Sequence, residues 1–408
     1  MTLISAGSQE CAGSTVQCAR SWRTRTMAGR ATSTGTGSAT RVQAARPERR
    51  SEWGTRVSET SMTCPSLASR SMGVVGTGSP GTMAVREGCE SEETSTETCE
   101  TYVPEGLCDG LHVNEGAYRV LEYVSLDWPS QTVDACGDAV LVATNAGSGG
   151  GASVVRLGFA ATEGYGRMER LSVERAKVDA DYNRLRVGAC VVCVSDESLD
   201  VFDGALVLRT STRGAFAHGL AVDDGRAYCG GRTGELAVAD LGCGRMSERH
   251  VHRGAVESVD VHGELVFTAS CDGAVCVTDM RARECVHRRE LGCEANAVGF
   301  NGDGCVVCGG ESGSLWVVDM RMPECAEEIA WHRTPVSSVR WRDADVFVSC
   351  SDEQVVLWDV SFVDEWEYHR YLSFVHQGQR YYKEAVFGAD GAVFTTSYDG
   401  VCVFAPVE

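Results

Sequence analysis

His332, Ser349, Asp352 and Trp358 lie close together in the chain. A serine, a histidine and an aspartate are the ingredients of acyl transfer, in which Asp orients His and His takes the Ser proton. The same types also build a purely structural chain of buried hydrogen bonds, tolerable when every member is satisfied. No G-x-S-x-G turn, P-loop or pair of catalytic carboxylates accompanies them, so the sequence points away from an enzyme.

Metal chemistry is the second possibility, because the chain holds 20 cysteines. Two C-x-x-C matches occur, Cys190-Val-Val-Cys193 and Cys305-Val-Val-Cys308. Both sit in apolar runs that read as β-strands, where side chains three apart point to opposite faces. Neither pair can then chelate one ion, and no second pair follows at zinc-finger distance. The cysteines read as small buried hydrophobes and as free thiols of a reducing compartment. No metal and no cofactor is expected.

The 408 residues carry a formal charge of −20, which repels nucleic acid and steers basic partners inward. No stretch approaches the ~18 consecutive apolar residues that span a bilayer, and no apolar signal core follows Met1. The chain therefore reads as soluble and intracellular. Its charge is unevenly placed. Residues 1–82 hold ten Arg and four Glu amid Ser, Thr and Gly, whereas residues 83–408 hold 27 basic and 53 acidic residues, a balance of −26. Three readings fit the first part, which has no hydrophobic period. It is upstream sequence not normally translated, with the start at Met83, or a disordered extension, or an Arg-rich transit peptide. Residues 83–111 read as an acidic linker carrying Glu87, Glu90, Glu92, Glu93, Glu97, Glu100 and Glu105. Asn114 is placed to cap a short helix through Leu121 or so, with Ala117, Tyr118, Leu121 and Tyr123 supplying its apolar side.

The elements that would position these residues follow a repeat. An apolar strand closing on Asp recurs as Leu199-Asp-Val-Phe-Asp203, Leu236-Ala-Val-Ala-Asp240, Val275-Cys-Val-Thr-Asp279, Leu315-Trp-Val-Val-Asp319 and Val355-Val-Leu-Trp-Asp359, in steps of 37, 39, 40 and 40 residues. Val401-Cys-Val-Phe404 is a last copy. His252 and His332 each precede the closing Asp by 27 residues and open similar phrases. Periods of this length belong to arrays of one repeated supersecondary unit.

This pattern resembles the WD-repeat family, in which a His-bearing turn and a terminal Trp-Asp bracket one four-stranded blade. The resemblance implies an all-β fold: a seven-bladed WD40 β-propeller over 112–408, since the 294 residues of 115–408 at about 42 per blade give seven. It also implies a structural tetrad for His332, Ser349, Asp352 and Trp358, with Asp orienting His, His bonding the Ser hydroxyl, and Ser reaching the indole N–H. The copy ending at Asp279 offers His252, Thr268 and Asp272 but Thr278 at the Trp position; the copy ending at Asp319 has Val318 there and Ser312 in place of Asp.

The ends of the repeat region are more specific. Tyr118-Arg-Val-Leu-Glu-Tyr-Val-Ser-Leu-Asp-Trp128-Pro129 resembles the opening segment of the glutamate-rich WD-repeat ribosome-assembly proteins, with relatives in the histone-binding WD proteins. Leu372-Ser-Phe-Val-His-Gln-Gly378, followed by Lys383-Glu384, is similar to that family's final-blade signature. The resemblance implies non-enzymatic escort of a basic large-subunit ribosomal protein, the universal third one, with assembly factors in the nucleus and nucleolus. The chain departs from the family in its short acidic tract and in Ala385-Val-Phe-Gly388, which replaces an aromatic-and-His phrase. Alternatives are a histone-binding chromatin scaffold and a substrate receptor of a cullin-type ubiquitin ligase. For the latter, Asp279-Met-Arg281 and Asp319-Met-Arg321 resemble a Trp-Asp-x-Arg motif without the Trp, and these arginines are expected to bond neighbouring blades. Candidate contacts for the basic partner are Glu90, Glu92, Glu93, Glu97, Glu100, Asp352, Glu353, Asp364, Glu365 and Glu367. A monomer without direct nucleic-acid or membrane contact is expected.

Overall fold

The computed structural model describes residues 114–407, apart from 148–149, 162–167, 363–368 and 389. Short apolar strands separated by Gly- and Asp-rich turns form seven four-stranded antiparallel sheets, the blades of a propeller. Their innermost strands are Ser130–Cys136, Tyr182–Val187, Phe216–Asp223, Val256–His262, Ala295–Phe300, Val336–Trp341 and Glu384–Phe387, numbered blades one to seven. Among the described residues no helix is long and apolar enough to cross a membrane.

Blade sheets are buried on both faces, and the second strand of blade two shows why the sequence supports this. All five residues of Val191–Ser195 are buried. Val191 and Cys193 pack against Leu141, Ala143 and Val154 of blade one, while Val192 and Val194 pack against Leu220, Ala227 and Cys229 of blade three. Two-sided burial produces a continuous apolar run rather than an alternating one. It also places Cys190, which packs with Val192 and Val194, on the opposite side from Cys193. Among the described residues seven such apolar clusters form, one for each pair of adjacent blades. Two glycines are required by this packing. A Cβ on Gly230 would meet the Val256 carbonyl oxygen at 2.2 Å, and one on Gly309 would meet Val336 Cγ1 at 2.4 Å.

The seventh blade is composite. Glu384–Phe387, Val393–Ser397 and Gly400–Pro406 come from one end of the chain, and Tyr118–Val124 supplies the fourth, outer strand by pairing with Gly400–Pro406. The helix expected from Asn114 to Leu121 is therefore not formed. Only Glu115–Ala117 make a 3-10 turn, and the rest is strand. Val120 and Val124 pack into the cluster shared with blade one, while Tyr118 and Leu121 pack toward blade six. A helical stripe cannot serve two opposite surfaces, so tertiary pairing overrides the local cap signal.

His376, from the phrase Phe374-Val-His-Gln-Gly378, anchors this closure. It is fully buried, its Nδ1 lies 3.1 Å from Tyr118 Oη, and its ring stacks on Phe404 at 4.1 Å. The Cys402 thiol is 3.7 Å from Nε2. Burial pushes His376 down to about 3 and the thiol far above its ordinary range, so the pair carries no nucleophile.

Two outcomes follow from this packing. Gly230→Ala is expected to cost about 1–3 kcal/mol by forcing the blade-three and blade-four backbones apart, read as a lower Tm in thermal unfolding. Burial holds His376, and likewise His332 at about 4, below the ordinary imidazole value. Their contribution to stability is complete above pH ~6.5 and is lost as pH falls toward the folded values. Tm should therefore drop between pH 6.5 and 4.5, and His376→Phe should flatten that slope. An unchanged slope in the variant would remove His376 as a cause.

Candidate functional site: the axial channel and the turns around its mouth

Six inner strands contain a register shift near their start, for example between Ser130 and Thr132, Tyr182 and Arg184, and Val336 and Ser338. A bulge of this kind re-aims the residues on either side of it. Below the bulges, side chains of each inner strand bond the next, and all seven interfaces are crossed. Thr132 Oγ1 accepts the Leu185 N–H at 2.9 Å, and Asp134 the Val187 N–H at 2.8 Å. Arg184 Nε donates to the His218 carbonyl at 3.1 Å, and His218 Nδ1 lies 2.8 Å from Glu257 Oε2. Ser258 and Asp260 accept from Val298 and Phe300, Trp341 Nε1 donates to the Gly299 carbonyl, and Ser338 accepts from Ala385.

Glu384 completes the ring and is the most heavily bonded side chain in it. Its Oε1 takes Arg184 Nη1 at 3.1 Å and Arg186 Nη2 at 2.8 Å, with Arg340 Nη2 at 3.6 Å. Its Oε2 accepts Thr132 Oγ1 at 2.9 Å and the Val133 N–H at 3.0 Å. Burial alone would raise this carboxyl; the three guanidinium groups override it and hold Glu384 well below the usual carboxylate range. Asp134 differs, because there burial outweighs Arg186 and Arg340 and pushes the carboxyl up. A cavity of about 10 Å³ remains between Arg184, Arg186, Ser338, Arg340 and Glu384. That is room for about one water, so it is not a substrate pocket.

The residues with triad chemistry are located elsewhere and are structural. His332 Nε2 is 2.7 Å from Ser349 Oγ, and the Trp358 indole N–H donates to the same oxygen at 2.8 Å. Ser349 and Trp358 are both fully buried, so the hydroxyl has no access to a substrate. Asp352 is not the fourth member. It lies 3.3 Å from Lys383 Nζ, and His332 Nδ1 has no hydrogen-bond partner among the described residues. The complete Asp–His link occurs in blade four, where His252 Nδ1 is 3.1 Å from Asp272 Oδ1 and Nε2 is 2.7 Å from Thr268 Oγ1. The reason is local: the Asp272 carboxylate also accepts the Arg253 N–H, at 2.9 Å, and Arg288 pairs with it, whereas Lys383 draws Asp352 outward.

The recurring terminal aspartates cap turns. Asp279 and Asp319 accept the N–H of Arg281 and Arg321, two residues on, at 2.9 and 3.0 Å. Arg281 and Arg321 each fold back onto that same aspartate through Nε and Nη2, and do not bond the neighbouring blade as expected. A two-residue spacing makes the bidentate pair the nearest partner. Other arginines make the cross-blade bonds: Arg156 to the Gly204 carbonyl at 2.8 Å and Arg289 to that of Pro323 at 2.9 Å.

Of the expected partner contacts, Asp352 and Glu353 lie in the turn between the second and third strands of blade six, Asp352 partly exposed and Glu353 exposed. The equivalent turns carry Asp196 and Glu197 in blade two, Asp272 in blade four, Glu311 in blade five and Asp399 in blade seven. Glu90, Glu92, Glu93, Glu97 and Glu100, together with Asp364, Glu365 and Glu367, fall outside the described residues. Sequence reasoning missed the Glu384 network. The available signal was charge inside an apolar strand, as in Tyr182-Asn-Arg-Leu-Arg-Val187.

Seven four-stranded blades around a polar axis, closed by a strand from the other end of the chain, define a WD40-type β-propeller. The solved WD40 β-propeller domain of Doa1 is similar, with a TM-score of 0.57 and 13% identity over 71% of this chain and 96% of that one. The computationally designed protein Ika8 matches with a TM-score of 0.52 and 16% identity over 72% of this chain and 100% of that one. No protein-family model matches the chain, and no curated protein matches it in sequence. The likeness is one of fold.

Removing the central carboxylate tests the axis. Glu384→Gln leaves three guanidinium groups without their shared counter-charge and is expected to cost about 3–5 kcal/mol, measured as a lower urea midpoint. A midpoint within error of the parent would show that water compensates the arginines.

Proposed function

We propose that the protein is a non-enzymatic escort for a strongly basic protein, in the reading suggested by its two ends: a large-subunit ribosomal protein carried during ribosome assembly in the nucleolus. One observation carries this proposal, the charge distribution. Residues 83–408 hold 53 acidic against 27 basic residues. Of the basic residues, Arg184, Arg186 and Arg340 are bonded at the axis. Exposed or partly exposed acidic side chains occupy the second-to-third-strand turns of blades two, five, six and seven, which share one face of the ring. A surface of this kind shields a cationic, aggregation-prone cargo until a polyanion replaces it. Individual exposed pairs contribute only ~0–1 kcal/mol, so recognition is collective. Affinity falls with salt, because screening acts beyond about 8–10 Å.

Affinity purification of the tagged protein at moderate salt, followed by mass spectrometry, tests the reading. Recovery of one basic large-subunit ribosomal protein with early assembly factors is the expected result. Histones or ubiquitin-ligase subunits without ribosomal cargo would overturn it. Replacing Glu90, Glu92, Glu93, Glu97 and Glu100 together by Gln is expected to weaken binding of that cargo several-fold at low salt. Equal affinity would remove the linker from the binding surface.

A further inference from the structure

Among the described residues, the exposed tyrosines are Tyr123, Tyr381 and Tyr398, and all three belong to the surroundings of blade seven. Tyr123 stands near the end of the closing strand, Tyr381 in the connection between blades six and seven, and Tyr398 in the turn before Gly400–Pro406. The Tyr381 and Tyr398 rings lie 5.0 Å apart, tilted by 33°, and are exposed by 48% and 41%. Tyrosine is enriched where proteins grip one another, because it offers a rigid apolar face at little entropic cost.

Two further observations bear on this pair. Tyr381 has φ +58°, a left-handed conformation that a bulky residue rarely adopts, and its N–H donates to the Asp352 carbonyl at 2.6 Å. Core packing does not account for that strain, since the ring it presents is half in solvent; strain of this kind gathers at binding sites. The rings also already attract a cation. Lys383 Nζ lies over both rings, 5.5 Å from the Tyr398 centroid and 5.9 Å from that of Tyr381, and is 3.3 Å from Asp352 Oδ1. Around them stand Asp352, Glu353 and Asp399. Glu353 is exposed, with no ion-pair partner among the described residues, and Asp399 is partly exposed beside Arg380.

We propose that the Tyr381–Tyr398 pair, rimmed by Asp352, Glu353 and Asp399, is the docking point for an arginine side chain of a basic partner. The proposal deepens the basic-cargo reading and rests on it. Arginine is the chemistry that fits. A planar guanidinium stacks on an aromatic face while its fork reaches a carboxylate beside the ring, whereas a lysine ammonium is a strongly hydrated point charge. The acidic rim attracts either cation, and the rings discriminate between them.

The test is titration calorimetry of the full chain with octa-arginine and octa-lysine peptides at low and moderate salt. The parent protein is expected to bind the arginine peptide at least threefold tighter than the lysine peptide. Tyr381→Gly combined with Tyr398→Ala should abolish that preference and leave lysine-peptide affinity unchanged. Tyr381→Gly alone removes the ring and relieves the positive φ, so it should keep or raise Tm while weakening arginine-peptide binding threefold to tenfold. Equal binding of the two peptides by the parent, or a preference that survives the double substitution, overturns the arginine site while the basic-cargo reading stands. A fall in Tm for Tyr381→Gly would make the ring a packing group and also overturn the site. If neither peptide binds at low salt, both readings fall.

Discussion

The carboxylate of Glu384 is the constraint around which the ring is organised. Blade two delivers Arg184 and Arg186 to the axis and blade six delivers Arg340, while blade seven supplies the one carboxylate that touches all three. The same carboxylate accepts from Thr132 and Val133 of blade one. Four of seven blades therefore meet at one side chain, at the place where the chain must close on itself. Apolar clusters between blades are interchangeable in principle, since any two oily faces attract. A shared charge is not, because an arginine left without it is a desolvated cation. We read the network as setting blade order more than adding stability.

Much of the chain's polar chemistry is thus consumed internally. Ser349 is bonded to an imidazole and an indole, the Cys402 thiol sits beside a buried neutral imidazole, and Arg281 and Arg321 are folded onto Asp279 and Asp319. The cavity beside Glu384 has space for about one water. What the fold leaves in solvent is the set of turns around the mouth, where backbone geometry is fixed by the sheets and side chains are free to differ from blade to blade.

The sequence made the repeat legible where the third strand ends on Asp, because that residue caps the following turn and recurs for a backbone reason. It was silent for blade one, whose third strand Ser153–Ala161 carries no such aspartate. The Trp358 hydrogen-bond chain was readable in His332 and Ser349 but not in Asp352, since its side chain had a choice between His332, 20 residues before it, and Lys383, 31 residues after it. The helix expected at Asn114 failed for a similar reason: cap chemistry is local, while the partner strand lies at the far end of the chain. The Glu384 network joins residues about two hundred positions apart, and no spacing rule reaches across that distance.

The composite seventh blade has a consequence for synthesis. Tyr118–Val124 leaves the ribosome early, and its pairing partner Gly400–Pro406 comes 276 residues later. At roughly 5–20 residues per second, the interval is on the order of fifteen to fifty seconds. Throughout it the nascent chain holds an apolar strand with no sheet to join and a growing fan of blades with two open edges, the kind of surface that recruits other strands. Closure is therefore a single late event, and the vulnerable period of this protein falls before its last strand is made.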